Sequence, residues 1–338
     1  MFKKLTLLAA VWTFCLIVLG AYVRLSDAGL GCPDWPGCYG KVTPHHAIES
    51  ISAAHAEQPH GPVSLAKAWK EMVHRYFAST LGFLILVLMV LAVRQRRKLR
   101  QSPALPVATF FVVCFQGALG AWTVTMLLKP AIVTSHLIGG MTLLAMLVWL
   151  TLRQRDWSVA RPELPDFRLQ AFLGLVILSC QIILGGWVST NYAALACTDF
   201  PSCQGSLLPT MDFNDAFHVL RELGQAPDGS MLTMANLTAI HWLHRVGALI
   251  TFCYLIWLSW RLYRQKVLRG LVGSIVVALV LQVSLGIGNV VLHLPLPVAV
   301  LHNAGAALLL VLLVCLNFRL ASGRPAPMVP QPIHSLAS

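Results

Sequence analysis

Eight long apolar runs dominate this chain and limit what it can fold into. Each is about 20 residues long, which is the length an α-helix needs to cross about 30 Å of hydrocarbon. Only 11% of the residues are charged and 57% are hydrophobic, which excludes the soluble globular class. The sequence therefore predicts an all-α integral membrane protein. Its predicted spans are 5–23, 72–93, 105–128, 132–152, 169–189, 237–260, 268–292 and 298–318.

Lysine and arginine are concentrated before the first predicted span and in the second, fourth and sixth connections. Because such charges are retained on the cytoplasmic side, both termini are predicted to be cytoplasmic. The same bias accounts for the formal net charge of +12, so the predicted partner is a lipid bilayer and not a nucleic acid. The N-terminus lacks an Arg-rich and Ser-rich presequence, which favours a bacterial inner membrane.

The second half of the chain repeats the first. The cysteine pair Cys32 and Cys38 recurs as Cys197 and Cys203 at an offset of 165, and the segment 116–120 recurs as 282–286 at an offset of 166. We therefore expect two tandem four-helix bundles, 1–160 and 161–320, related by a pseudo-twofold axis along the membrane normal. Residues 321–338 are predicted to form a disordered cytoplasmic tail.

Each cysteine pair lies in a long outer loop, where the redox conditions favour disulfides. The main interpretation is one disulfide per loop, Cys32–Cys38 and Cys197–Cys203. A zinc site and a redox-active disulfide are the alternatives. The other five cysteines fall inside predicted spans, where we expect small buried hydrophobic side chains. They are Cys15, Cys114, Cys180, Cys253 and Cys315.

Four histidines lie at matched places inside the spans: His74 and His136 in the first half, His244 and His302 in the second. An ionisable side chain in a bilayer helix is costly and therefore points to function, and imidazole is a common axial ligand of haem iron. All four lie within about two turns of the outer ends of their predicted spans. We expect one haem site per half, with zinc or a proton relay as alternatives.

Two further residue types accompany the histidines. Glu71 lies one turn before His74, whereas His241 has the equivalent position in the second half, which predicts unequal sites. Glu71 could pair with Arg75 or a lipid headgroup, or it could handle protons at the substrate. Arg75 and Arg245 follow the first histidine of each pair and could bind haem propionates or be interfacial cations. Gly120, Gly185 and Gly286 favour close helix packing. Five outer-loop histidines are predicted to be surface residues: His45, His46, His55, His60 and His218.

This combination resembles the haem A synthase family from the first span to the eighth. The residues that carry the resemblance are the two cysteine pairs, Glu71 with His74 and Arg75, His136, His244 with Arg245, and His302. The resemblance implies oxidation of the C8 methyl group of haem O to the formyl group of haem A by successive hydroxylations. It further implies that the first histidine pair holds the substrate haem iron and the second holds haem b. Glu71 matches the family's catalytically important carboxylate.

The resemblance also implies partners: haem O synthase (protohaem farnesyltransferase) and cytochrome oxidase assembly factors. The electron donor is not identified by the sequence, and a homo-oligomer is compatible with it. Two other functions use the same histidines. One is a dihaem, cytochrome b-like quinol oxidoreductase. The other is a haem or metal transporter, which the parallel repeat favours but the unequal Glu71 and His241 do not.

Overall fold

The computed structural model describes residues 1–154, 160–161, 167–322 and 324–325, and within them the protein is almost entirely helical. Eight of the described helices are long and apolar enough to cross a membrane, which confirms every predicted span and identifies a multi-pass membrane protein. The helices are α1 (Phe2–Leu25), α2 (Ile48–Glu57), α3 (Leu65–Arg94), α4 (Arg96–Leu99), α5 (Ala104–Thr125), α6 (Pro130–Arg153), α7 (Arg168–Thr190), α8 (Met234–Arg264), α9 (Arg269–Val291) and α10 (Leu296–Ser322).

The two helices that carry the first histidine of each pair begin earlier than predicted. Ser64 caps α3 by accepting a hydrogen bond from the backbone N–H of Lys67, and Thr233 forms a capping box with Asn236 at the start of α8. Such caps satisfy backbone N–H groups that have no partner within the helix. The added turns place His74 and His244 about 14–15 Å from the N-terminal ends of their helices, deeper than the predicted two turns.

The spanning helices pack on one another along their apolar faces. In the first half, α1 packs on α3 and α6, and α5 packs on α3 and α6. In the second half, α8 packs on α7 and α9, and α10 packs on α7 and α9. The two sets of helices are joined by contacts of α10 with α1 and α6, and of α7 with α6. Leu147 and Leu313 are fully buried in the shared core.

The outer loops contain local structure that the apolar pattern does not reveal. A 3-10 helix, Pro44–Ala47, leads into α2, and a second one, Ala193–Leu195, follows α7. The two predicted disulfides, Cys32–Cys38 and Cys197–Cys203, are present, each joining cysteines six positions apart. The five outer-loop histidines are exposed, as predicted.

The prediction for the cysteines in the spans was wrong in most cases. Cys15, Cys114, Cys180 and Cys253 are exposed on the helix surfaces, and Cys315 is half-buried. Apolar character alone does not distinguish a side chain that faces lipid from one that faces the protein core, because both environments are apolar.

Two short strands, Ala160–Arg161 and Arg324–Pro325, pair in parallel. The predicted disordered tail, 321–338, begins within the last turn of α10, which extends to Ser322. Residues 323 and 326–338 of that tail lie outside the described residues.

Candidate functional site

A cavity of about 580 Å³ lies among α1, α3, α5 and α6 in the first half of the chain. Its volume is within the range of small-molecule and cofactor pockets, roughly 300–1,000 Å³. His74 on α3 and His136 on α6 both line it, together with Glu71 and Arg75. The structure therefore brings together every site residue that the sequence predicts for the first half.

Each of these imidazoles lies against a glycine on the neighbouring helix. A Cβ atom added to Gly20 on α1 would lie 3.0 Å from Cε1 of His74, and one added to Gly120 on α5 would lie 3.3 Å from Cε1 of His136. Contacts this close leave little room for any larger residue. The glycines thus allow the Cε1 edge of each ring to approach the neighbouring helix closely.

The second half repeats this arrangement. A Cβ atom on Gly185 of α7 would lie 3.0 Å from Cε1 of His244, and one on Gly286 of α9 would lie 3.0 Å from Cε1 of His302. His244 is on α8 and His302 is on α10, the counterparts of α3 and α6. The four glycines, which include Gly20, have a more specific task than helix packing, because each accommodates one histidine ring.

The imidazoles fit the requirements of a haem ligand pair. Nδ1 of His74 and Nδ1 of His136 are buried and have no hydrogen-bond partner. A buried polar nitrogen without a partner is unfavourable unless another group, such as a metal ion, satisfies the ring. Among the described residues no group of three or more His, Cys, Asp or Glu side chains could hold a metal ion. Two imidazoles are a common axial set for haem iron.

Glu71 connects the cavity to the first outer loop. Its side chain lies at the cavity wall and is almost fully buried. One carboxylate oxygen accepts a hydrogen bond from the backbone N–H of Cys32 at 3.0 Å, and the other accepts from Arg75 at 2.5 Å. Among the described residues that line the cavity, Glu71 is the one carboxylate. A proton acceptor is thereby held one turn from His74.

Arg75 holds the disulfide loop in place. Besides the contact with Glu71, its guanidinium donates to the carbonyl oxygens of Asp34 at 2.8 Å and Gly37 at 2.6 Å. Hydrogen bonds from a charged donor are about twice as strong as neutral ones. Arg75 therefore fixes the Cys32–Cys38 ring above the cavity.

Arg245 does the same in the second half with a different partner. Its guanidinium donates to the carbonyl oxygens of Ser202, Cys197 and Asp199, and its Nε donates to Nε2 of His241 at 3.2 Å. His241 thus occupies the place that Glu71 has beside Arg75. As predicted, the two halves differ at this position: a carboxylate lies beside Arg75 and an imidazole beside Arg245.

An aspartate organises each disulfide ring from within. Asp34 accepts from the backbone N–H groups of Tyr39 and Gly40, and Asp199 accepts from those of Gln204 and Gly205. A hydrogen bond from the Ser202 hydroxyl, together with the Gly205 N–H, lowers the pKa of Asp199 to about 2. The carboxylate form of Asp199 therefore holds the second loop.

The cavity reaches the lipid-facing surface between α3 and α5. Phe83, Cys114 and Gly117 line the cavity and are also exposed. Gly82 lines it as well, and a Cβ atom on Gly82 or Gly117 would meet no atom within 4 Å. These small residues leave an opening at the depth of the hydrocarbon.

Three glutamines lie beside the histidines, and their contacts were not predicted from the sequence. Gln116, Gln181 and Gln282 each lie four residues before a glycine that contacts an imidazole, and each is close to its histidine. The repeat relates Gln116 to Gln282 at an offset of 166. It also aligns Leu16–Gly20 with Gln181–Gly185, so one of the four copies has Leu16 in place of glutamine.

Comparison with known proteins places the chain. A family model described as "Cytochrome oxidase assembly protein" matches residues 3–314. The heme A synthase of Shewanella oneidensis is 46% identical over 91% of this chain and 93% of its own length. Those of Alkalihalophilus pseudofirmus and Rhizorhabdus wittichii are 28% and 27% identical, over 83% and 91% of this chain and 84% and 90% of their own lengths. The chain belongs to the haem A synthase family.

Family membership confirms the function that the resemblance implied. The protein is an oxidoreductase that converts haem O to haem A in haem A biosynthesis for cytochrome oxidase. Haem O is therefore its substrate. Neither of the two other functions, quinol oxidoreductase or transporter, describes this family.

Proposed function

We propose that residues 1–160 bind and oxidise haem O, with His74 and His136 as ligands of the substrate iron. Residues 161–320 hold haem b through His244 and His302. The cavity among α1, α3, α5 and α6 carries this proposal, because two imidazoles and the single lining carboxylate meet there. The two halves are tandem four-helix bundles with a pseudo-twofold axis along the membrane normal. The repeated helix contacts and the four equivalent glycine–imidazole pairs support that arrangement.

The opening between α3 and α5 supports the choice of the first half as the substrate half. Haem O carries a farnesyl chain and partitions into lipid, so an entrance at hydrocarbon depth suits it. The repeat aligns Gly82 with Phe252 and Gly117 with Val283, so larger side chains stand at the equivalent wall of the second half. A closed wall suits a permanently bound haem b, which supplies electron transfer when it is bound.

Glu71 is the catalytic residue of this proposal. Its carboxylate is fixed by Arg75 and by the N–H of Cys32, which places a group that can hold or release a proton at the substrate. Burial of the Glu71 side chain, which is 6% exposed, strengthens its interaction with charge on the substrate. His241, at the equivalent position, accepts from Arg245 instead, so the second half lacks this acid–base group.

Arg75 and Arg245 provide positive charge beside the histidines, and Arg75 lines the cavity. We assign each a second task besides holding its loop: it would pair with the haem propionates of its half. Since the same guanidinium binds the disulfide loop, occupancy of the haem site and order in the loop are coupled.

The proposed location is the bacterial inner membrane, with both termini and the tail 321–338 in the cytoplasm. The cysteine loops and histidines lie toward the periplasm. Positively charged connections on the opposite side and disulfides in the outer loops support this orientation. Partners of the chain are a haem O synthase, which supplies the substrate, and cytochrome oxidase assembly factors, which receive haem A.

Four single variants test the assignment of the two halves. The protein is expressed in a host that makes haem O but no haem A, and its haems are extracted and identified by mass. His74→Ala and His136→Ala are expected to abolish haem A and to leave haem b bound. His244→Ala and His302→Ala are expected to lose haem b.

The exposed His45→Ala is the matched control and should behave as the native chain. Loss of haem b from His74→Ala, with haem O retained, would reverse the assignment. Loss of all haem from each of the four variants at once would contradict two separate sites.

A further inference from the structure

A glutamine on the neighbouring helix lies against three of the four proposed ligand histidines. Gln116 donates to the carbonyl oxygen of His136 at 2.5 Å, and Gln181 donates to that of His244 at 3.0 Å. The amide nitrogen of Gln282 lies 3.4 Å from Nε2 of His302. Each glutamine lies on the helix whose glycine contacts the same imidazole, so one helix both accommodates the ring and contacts the histidine through its glutamine.

A second glycine makes room for each glutamine. It lies three residues after the histidine, at Gly139, Gly247 and Gly305, and a Cβ atom there would overlap the amide oxygen of the glutamine. The histidine, its following glycine and the facing glutamine therefore form a unit in which no member can be enlarged alone.

The contacts also bear on which imidazole nitrogen is free for iron. The amide nitrogen of Gln181, which donates to the carbonyl oxygen of His244, also lies 3.0 Å from Nδ1 of the same residue. Nδ1 of His302 lies 3.1 Å from the carbonyl oxygen of Gln282. A hydrogen bond from Nδ1–H fixes the ring and leaves Nε2 for the metal, as is usual for histidine ligands.

His74 is the exception, and both parts of the unit are changed there. The repeat puts Leu16 at the position of Gln181 and Phe77 at the position of Gly247. Phe77 packs on Trp12, with ring centroids 5.3 Å apart, in the place where the other units pack a glutamine on a glycine. The glycine is lost together with the glutamine that requires it, so the pair α1 and α3 has a coherent alternative packing.

We propose that Gln116, Gln181 and Gln282 are positioning residues that hold their histidines as haem ligands, and that Leu16 and Phe77 leave His74 as the ligand released most easily. This inference rests on the proposed function. A ligand that detaches readily suits a half that must take up haem O and give up haem A. His74 is on α3, which also borders the opening to the lipid.

Carbon monoxide tests the inference without any turnover, since it binds ferrous haem only where an axial ligand leaves. The protein is purified from a host that makes no haem O, reduced, and exposed to carbon monoxide. We expect the native haem b to remain unreactive. Gln181→Leu should raise its carbon monoxide affinity about 10- to 100-fold, the usual effect of losing a group that orients a metal ligand. Cys180→Ala, an exposed neighbour on α7, is the matched control.

The reciprocal change is made at His74. Haem O added to the native protein should bind carbon monoxide, and the double variant Leu16→Gln with Phe77→Gly should lower that affinity by a similar factor. Unreactive haem b in Gln181→Leu would overturn the positioning role of the glutamine. Haem O that resists carbon monoxide in the native protein would overturn the special status of His74.

The outcomes separate this inference from the proposed function. If haem b is retained in His244→Ala, the ligand assignment itself fails. If haem b is lost in His244→Ala but is inert to carbon monoxide in Gln181→Leu, only the role of the glutamine fails. Should the double variant not fold, the Gln181→Leu measurement still decides the positioning role.

Discussion

Replacing Glu71 with glutamine separates its proton chemistry from its structural contacts. The amide oxygen of Glu71→Gln can still accept from the N–H of Cys32, which lies 3.0 Å from the native carboxylate, and the side chain has nearly the same volume. The variant loses the negative charge, the ability to take up a proton and the acceptor that faces Arg75. We expect haem A formation to fall about 100- to 10,000-fold, the usual contribution of a general acid or base.

The expected loss of stability is smaller and can be bounded from the contacts of Arg75. The side chains of Arg75 and Glu71 are only 11% and 6% exposed, so solvent screens the pair little. Complete removal of one partner of a buried pair costs about 3–5 kcal/mol. Arg75 keeps two short bonds to loop carbonyls in the variant, so the loss should be that of one charged hydrogen bond, about 1.5–3 kcal/mol of unfolding free energy.

The assay is the initial rate of haem A formation from haem O in membranes, normalised to the haem O bound. Chemical unfolding of the purified protein measures stability in parallel. Glu49→Gln, an exposed carboxylate in the first outer loop, is the control for the substitution itself. A Glu71→Gln enzyme that retains the native rate would refute the proton-handling role. Weaker binding of haem O with a normal rate per bound haem O would make Glu71 a structural residue only.

Three further outcomes are expected. Gly82→Phe should close the opening between α3 and α5 and slow haem O uptake while haem b content is unchanged; Gly273→Phe, at an exposed glycine of α9 with equally free surroundings, should not. Because the pKa of Asp199 is lowered, its stabilisation of the second loop is complete above pH about 3.8 and is lost toward pH 2. Reduction of the Cys197–Cys203 disulfide by a phosphine should therefore accelerate as the pH falls through that interval. Asp199→Asn should remove this pH dependence. Arg221→Met should lower the unfolding free energy by about 1.5–3 kcal/mol, since this buried guanidinium donates to Asn191.

Much of the fold follows from the sequence because the bilayer imposes a single strong rule. A segment of about 20 apolar residues must be helical to satisfy its own backbone, so all eight spans could be predicted. The matched histidines and the disulfides also follow, because the repeat fixes which residues are equivalent. The side on which a cysteine lies could not be predicted, because lipid and core are equally apolar.

Contacts in the site between residues far apart in the chain could not be predicted from the sequence. Arg75 was expected to face propionates or the headgroup region, and nothing in its spacing reveals that it binds loop carbonyls some 40 residues away. The glutamines were visible as an echo of the repeat, yet their role requires the distance to a histidine on another helix. The replacement of glutamine by Leu16 was not predicted because the first span, 5–23, carries no histidine or carboxylate that points to a site.

The central claim is that the two halves hold different haems, with the farnesylated one in the first half. An electron cryomicroscopy map of the protein, purified from a host that makes haem O and held under anaerobic conditions, tests it most directly. The account predicts a farnesylated haem between His74 and His136, with its chain leaving between α3 and α5, and a haem without a farnesyl chain between His244 and His302. A farnesylated haem between His244 and His302, or a first cavity that contains lipid only while haem A is still produced, would contradict it.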